Sequence, residues 1–392
     1  MILRFLLAIG SVLAILFGLH FLLYSSIIRF LAIANPTVKT ALSITLLFLS
    51  LSLVVSVPLV HWWENLLTSN FYVFAASWLG FLINLLLAVG LSWLVIGIVH
   101  LIGYKPHTQP IAIVFFVLAA LYSIYGIWNA FHPRIRNLEV QIENLPTQWK
   151  NKTIVQLSDM HLGHVHRLGF LKSIIAKVNA LNPELVLITG DLFDGMSGNL
   201  TSFVEPLNTL KAQRRIFYVT GNHETYIGVR RALDILEKTK INVLRNEVVE
   251  LDGLQVVGIS YPGVSGTENM RSLRKSWADF STGKPRLLLF HTPTNIKRKD
   301  ENGHDAHSSA YWAPDTSLAV NKEIGISLQL SGHTHKGQVF PFGYLTKLIY
   351  KGYDYGLHSE GSFSIYTTSG VGTWGPPMRT GNSPEIVVIK LK

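Results

Sequence analysis

Nine residues of this chain have types and spacings that suit metal chemistry. They fall in five short segments: Asp159-Met160-His161, Gly190-Asp191-Leu192-Phe193-Asp194, Gly221-Asn222-His223-Glu224, His291, and Gly332-His333-Thr334-His335. Together they offer three carboxylates, one amide and five imidazoles. No thiolate competes, because the chain has no cysteine. Carboxylate, amide oxygen and imidazole suit Mn²⁺, Fe or Zn²⁺. The set is too large for one tetrahedral ion, and two ions sharing a bridging carboxylate would use it well. Two metals about 3.5–4 Å apart stabilise the attacking and leaving oxygens of an in-line phosphoryl displacement. Each segment alone has a plainer reading: Asp-x-His as a solvated loop, Gly-Asp as a turn, Asn-His as a helix cap.

The elements around the segments argue against five coincidences. Each segment follows a run that reads as a strand: Thr153–Leu157, Leu185–Thr189, Ile216–Val219, Leu287–Phe290 and Ser327–Leu330. Further strand candidates are Leu254–Ile259, Ser362–Thr367 and Glu385–Leu391, and helix candidates are Arg167–Leu181, Ser202–Ala212 and Ile227–Lys238. This alternation predicts an α/β domain with sheets buried on both faces. Ligand sites in open α/β sheets lie just outside the carboxyl ends of strands, where all five segments fall. Gly190, Gly221 and Gly332 beside the ligands permit tight turns and close backbone approach.

The rest of the chain differs from this domain. Of 392 residues only 15% are charged, against about 25% in a typical soluble chain. The first 132 residues hold five charged side chains, Arg4, Arg29, Lys39, Glu64 and Lys105. A uniform globular protein and a disulfide scaffold are both excluded. Phe5–Ile28, Ala41–Val60, Phe71–Ile102 and Ile111–Phe131 carry no charge, and each meets the roughly 20 residues needed to cross a bilayer. The sequence therefore predicts a transmembrane region of four helices over residues 1–132, followed by a soluble domain over 138–392. The first run is longer than a signal-peptide core and reads as an uncleaved helix. Only His20 and His100 ionise within the runs, near their ends, which counts against a channel or pump. Asn84 is a candidate interhelical hydrogen bonder.

Four spans place Met1 and the soluble domain on one side. Arg4, Arg134 and Arg136 on that side balance Arg29, Lys39 and Lys105 on the other, so the positive-inside count gives no bias. The link around Glu64 has no Lys or Arg, which favours an extracytoplasmic domain on a multi-pass cell-membrane protein.

The residues Asp159-x-His161, Gly190-Asp191-x-x-Asp194, Gly221-Asn222-His223-Glu224, His291 and Gly332-His333-Thr334-His335 resemble the signature of the calcineurin-like metallophosphoesterases. The likeness is closer to membrane-anchored bacterial phosphoesterases of that superfamily, through Ser158–Gly163, His333–Gln338 and the tail Gly370-Val371-Gly372, Arg379 and Pro384-Glu385. An animal branch of related transmembrane proteins also carries the domain, and some bacterial relatives hydrolyse UDP-diacylglucosamine. The resemblance implies a four-layer α/β/β/α sandwich. It implies that Asp159, His161 and His335 bind one divalent metal ion, that Asn222, His291 and His333 bind a second, and that Asp191 bridges both. Manganese is favoured over iron or zinc. A metal-bridging hydroxide would attack phosphorus. His223 would protonate the leaving oxygen or stabilise the transition state, and Asp194 would orient His223. Asp194-Gly195 stands where protein phosphatases carry Asp-Arg-Gly, which counts against that activity.

Outside the signature, Arg379 is a candidate phosphate clamp, because its planar fork matches phosphate oxygens. Lys336 either contacts a substrate phosphate or points to solvent. His164 and His166 either line the site or, as the plainer reading, are surface histidines. A polar stretch from Lys297-Arg298-Lys299 to Thr316, holding Tyr311 and Trp312, reads as a lid or a mobile insertion. The domain's net +7 suits an anionic lipid surface or polyanionic substrate. The expected enzyme is a membrane-anchored phosphohydrolase acting on a phosphodiester or pyrophosphate of a lipid headgroup or lipid-linked nucleotide. Membrane lipids are its expected partners, and nucleic acid is not. The rival reading is a metal-binding sensor without turnover, which has no need of His223 and Asp194.

Overall fold

A computed structural model describes residues 2–196, 198–265, 283–298 and 313–392. Most of the polar stretch expected as a lid or insertion, including Tyr311 and Trp312, lies outside the described residues. The chain divides into two compact units. One comprises Met1–Trp128 with Gly375–Thr380, and the other Asn129–Trp374 with Gly381–Lys392.

The first unit holds α1 (Ile2–Phe30), α2 (Pro36–Trp62), α3 (Leu66–Leu101) and α4 (Thr108–Ala130), whose end passes into the second unit. All four are long and apolar enough to cross a membrane. The short links between the apolar runs are helix starts. Asn35 caps α2 by accepting from the Thr37 and Val38 N–H groups, with Pro36 at the first helical position, where its missing N–H costs nothing. Asn65 and Thr68 exchange hydrogen bonds at the start of α3, a capping box in form. Leu23, Phe30, Leu82, Val89 and Ala112 pack inward, while Phe21, Phe48, Leu94 and Leu121 face outward. Helices apolar all round suit hydrocarbon on their outer faces. The polar groups bond between helices: Asn84 Nδ2 donates to Ser123 Oγ at 2.9 Å, and Trp78 Nε1 to His20 Nε2 at 2.9 Å. The outlying segment packs here too. The Arg379 N–H donates to the Gly126 carbonyl at 2.9 Å, and Met378 lies where a Cβ on Gly80 or Gly126 would sit.

The second unit is built on two six-stranded sheets. Its strands run in chain order β1 (Arg134–Val140), β2 (Thr153–Leu157), β3 (Leu185–Thr189), β4 (Arg215–Val219), β5 (Asn242–Val243), β6 (Glu247–Leu251) and β7 (Leu254–Ile259). They continue as β8 (Val264–Ser265), β9 (Arg286–Phe290), β10 (Lys297–Arg298), β11 (Leu328–Ser331), β12 (Gly356–Glu360), β13 (Phe363–Thr367) and β14 (Glu385–Leu391). The first sheet has the order β1-β14-β2-β3-β4-β5 and the second β12-β13-β11-β9-β7-β6. β2 to β5 run parallel, as do β7, β9, β11 and β13. Their carboxyl ends therefore leave each sheet along one edge.

Alternation along the strands explains the layering. Leu185 and Leu187 point into the space between the sheets, where they meet Leu287 and Leu289, with Ile154, Phe217 and Leu330. Val186 and Ile188 point the other way, against Leu171, Ile174 and Val178 of α5 (Leu168–Leu181). This face is also covered by α6 (Val204–Asn208) and α8 (Val229–Leu236), which follows α7 (Asn222–Ile227). Leu288 and Phe290 pack outward beneath Ile296, Leu318 and Ile324, around the short α9 (Ala319–Glu323). The result is the four-layer α/β/β/α architecture. Strands buried on both faces read as continuous apolar runs, which is why the central ones were visible in sequence. The edge strands β1, β5, β6 and β12 are not among the strand candidates of the sequence, because exposed residues, as in Arg134–Val140, or a length of only two residues, as in Asn242–Val243, leave no apolar run.

Candidate metal centre

Asp159 and His161 follow β2, Asp191 follows β3, Asn222 and His223 open α7 after β4, His291 follows β9, and His333 and His335 follow β11. Strands of both sheets thus contribute. Backbone hydrogen bonds tie the exits together: Asp159 N–H to the Gly190 carbonyl (3.1 Å), His161 N–H to that of Asp191 (3.1 Å), and Gly332 N–H to that of His291 (2.8 Å). The tail read in the sequence acts as a brace, since the Gly372 N–H donates to the Asp159 carbonyl at 2.8 Å. A Cβ on Gly370, whose φ is +83°, would lie 2.8 Å from that of Asp159.

Five of the seven expected ligands have left-handed backbones: Asp159, His161, Asp191, His333 and His335, with φ between 47° and 73°. Each such residue costs on the order of 1–3 kcal/mol, a strain that persists where the surroundings overdetermine it. The strain turns the side chains inward. His161 Nε2 and His335 Nε2 are 3.0 Å apart, and Asp159 Oδ1 is 3.3 Å from His335 Nε2. On the other side, Asn222 Oδ1 lies 2.8 Å from His333 Nδ1 and 3.0 Å from His291 Nε2. Asp191 Oδ2 stands between the groups, 3.1 Å from His291 Nε2 and 3.9 Å from His161 Nε2. Ligand atoms of Asp159, His161 and His335 lie within 4.8 Å of one another, as do those of Asp191, His291 and His333.

This donor set fits two cations. His291 Nδ1 lies 2.8 Å from the Thr189 carbonyl, so that nitrogen carries a proton. Its Nε2 then presents a lone pair to two oxygens unless it too is protonated, and a cation resolves that opposition. The facing His161 and His335 nitrogens, 3.0 Å apart beside the Asp159 carboxylate, are likewise placed to share a cation. The electrostatics agree. Burial opposes ionisation of Asp191, but His291, His223 and His161 around it hold its carboxyl well below the usual range. Burial drives His161 well below its ordinary value, and burial with His291 nearby takes His333 down to about 3. Burial pushes Asp159 up to about 6. Burial also disfavours charge on His291, yet Asp191 raises it to about 9. His161 and His333 are thus held neutral beside an ionised Asp191, and at His291 a cation would take the place of the proton that Asp191 holds there.

His223 stands beside both groups, its ring 4.4 Å from that of His161. Its Nδ1 is 2.5 Å from the backbone carbonyl of Asp194. The orienting role expected of the Asp194 carboxylate thus falls to its main chain. The carboxylate turns back to accept from the Met196 N–H at 2.8 Å, closing its own turn. Glu224, quoted in the sequence motif without a role, is a rivet. Fully buried, it accepts from the Gly221 (2.7 Å), Asp191 (3.1 Å) and Phe193 (3.2 Å) N–H groups. Its position three residues after Gly221, at the start of α7, was the available signal. Tyr226 was also missed: the Asn222 amide donates to its hydroxyl at 3.2 Å, directing Oδ1 to the histidines.

The ligands open on a cavity of about 330 Å³. Its polar side is Asp191, Asn222, His223 and His333, and its apolar side includes Phe342, Leu345 and Ile349 of α10 (Phe342–Ile349), with Trp374. Neither expected substrate contact lines it. Lys336 lines a neighbouring cavity, and its Nζ sits 3.9 Å over the Tyr355 ring, in a cation–π arrangement. Arg379 is wholly buried in the segment that packs with the helical unit, so the clamp assignment does not stand. The surface reading of His164 and His166 is corrected as well. Both are buried, and His166 Nε2 accepts from the Thr373 N–H at 2.8 Å.

A family model described as calcineurin-like phosphoesterase matches residues 152–337. Among similar proteins, an uncharacterized metallophosphoesterase of Campylobacter jejuni is 34% identical over 281 residues, covering 70% of this chain and 68% of that protein. One from Helicobacter pylori is 32% identical over 337 residues, 84% of each. A Danio rerio protein named as a transmembrane protein with metallophosphoesterase domain is 31% identical, covering 70% of this chain and 61% of its own length. With its strand exits, paired ligand groups and these relatives, the chain belongs to the calcineurin-like phosphoesterase family.

Proposed function

We propose that this metal-dependent phosphoesterase cleaves a phosphodiester or pyrophosphate bond in an amphiphilic substrate, a lipid headgroup or a lipid-linked nucleotide, using two divalent cations. The observation that carries the reading is the placing of the Asp191 carboxylate between two ligand groups, with His223 alongside and an apolar wall opposite. Asp159, His161 and His335 would hold one cation, and Asn222, His291 and His333 the other. An oxygen and nitrogen donor set without thiolate suits manganese, iron or zinc, of which manganese is the cation proposed. When bound, the cations supply Lewis-acid charge at a phosphoryl oxygen and activation of water. The protein's own part is proton handling and shape. His223 anchors Nδ1–H on the Asp194 carbonyl, which leaves Nε2 to carry the proton for a departing oxygen. The α10 wall excludes water and accepts hydrocarbon. An extracytoplasmic placing of this unit is part of the proposal, supported by the absence of Lys and Arg around Glu64.

Detergent-purified full-length chain supplied with Mn²⁺ tests this, using bis(4-nitrophenyl) phosphate against 4-nitrophenyl phosphate, with Asn222→Ala as control. Faster cleavage of the diester, lost in the control, is the expected result. Equal rates for native and control chains would overturn it. Bound metal with no turnover of any lipid phosphoester would point instead to a metal-sensing module.

A further inference from the structure

The helix that walls the cavity has a second face with no role in the centre. No residue of α10 is buried. Phe342, Leu345 and Ile349 line the cavity, whereas Tyr344 and Leu348, one turn apart, are 73% and 76% exposed. Phe340 extends that row, its ring 6.1 Å from that of Tyr344. Exposed apolar groups of this size in a contiguous row are uncommon on a soluble surface and mark an interaction site. The exposed charge along this segment is basic: residues 336–353 contain Lys336, Lys347 and Lys351 and no Asp or Glu, and the carboxylate that follows, Asp354, is buried and accepts from the Thr346 hydroxyl at 3.2 Å.

We propose that α10 and the segment before it seat this unit on the surface of an anionic phospholipid bilayer. Three observations select lipid over a protein partner. The row joins Phe, Tyr and Leu to flanking lysines, the composition of helices that lie in the membrane interface. The exposed Lys347 and Lys351 complement anionic headgroups. The same polypeptide carries four helices long and apolar enough to cross a membrane, so a bilayer is always at hand. The two faces of one helix then join the interface to the metal centre. An amphiphile leaving the bilayer along Phe342 and Leu345 meets Asp191 and His333 without crossing bulk water. The seating does not depend on which bond the centre cleaves.

The cysteine-free chain allows a direct test. Single variants Tyr344→Cys, Leu348→Cys and Glu237→Cys carry an environment-sensitive fluorophore in full-length protein. They are reconstituted in vesicles of phosphatidylglycerol and phosphatidylcholine with a lipid-borne spin-label quencher. Labels at 344 and 348 are expected to emit to the blue and to be quenched several-fold more than the label at Glu237, an exposed position. Emission as in water, with quenching no greater than at 237, overturns the proposal. Label pairing that grows with protein density would assign the face to a second copy and overturn it equally. Chromatographic elution and thermal unfolding confirm that each variant is folded. None of these readouts needs turnover, so failure here is separable from failure of the hydrolase reading.

Discussion

His223 Nδ1 meets the main-chain carbonyl of Asp194, 2.5 Å away, and the Asp194 carboxylate faces the Met196 N–H instead. Asp194→Asn keeps an acceptor for Met196 and leaves the carbonyl in place. Its kcat/KM is expected to stay within about tenfold of native. His223→Gln removes the proton carrier and is expected to lower kcat by roughly 10²- to 10⁴-fold, with metal content unchanged. Steady-state kinetics with metal analysis of the same samples separates the two. A larger loss in Asp194→Asn than in His223→Gln would contradict the assignment.

Asp191 has two duties. Oδ2 stands between the ligand groups, and Oδ1 accepts from the His223 N–H at 2.9 Å. Asp191→Asn keeps the shape but removes the charge that offsets two cations. Loss of bound metal with native-like folding is expected, measured by plasma mass spectrometry beside circular dichroism. An unchanged hydrolysis rate would sink the bridging role.

Glu224 holds three main-chain N–H groups from two loops. Gln retains one oxygen and turns an NH₂ toward donors. Hydrogen bonds to a charged acceptor are worth about 1.5–3 kcal/mol each, so Glu224→Gln is expected to lower the unfolding midpoint by several degrees and to weaken metal binding. A native midpoint and native metal affinity would show that the rivet is dispensable.

Far from the centre, Lys152 Nζ lies 2.6 Å from Glu184 Oε1, and Arg214 Nε lies 3.3 Å from Oε2. The Lys152 hydrogen bond, with Arg214, holds the Glu184 carboxyl below its ordinary value. The folded pKa is thus below the unfolded one. The stabilisation is present above the unfolded value and is lost as pH falls through the folded value. Glu184→Gln is expected to cost ~0.2–1 kcal/mol at neutral pH, as for surface pairs, and the two proteins should converge in acid. A gap that widens in acid would reverse the sign.

The legible part of this protein is the part written locally. Thr153–Leu157 and Leu185–Thr189 were readable because central parallel strands are apolar on both faces. The helix starts at Asn35 and Asn65 sit between apolar runs whose length alone declared them. The order of ligands followed from the strand exits. The edge strand Arg134–Val140 was illegible because its exposed residues carry no pattern, and its pairing is to β14, some 250 residues away.

The sequence by itself determined four apolar spans, strands buried on both faces and the donor types at their carboxyl ends, because length, alternation and residue chemistry are properties of short stretches. Tertiary structure decided which oxygen of Asp194 faces His223, what Glu224 holds, that Arg379 is buried with the helices, and that α10 has one face on the cavity and one in solvent. These depend on side-chain direction and on burial against segments distant in the chain. Left-handed backbone at Asp159, His161 and His335 turns those side chains toward one point, and only the packed loops around them can hold it.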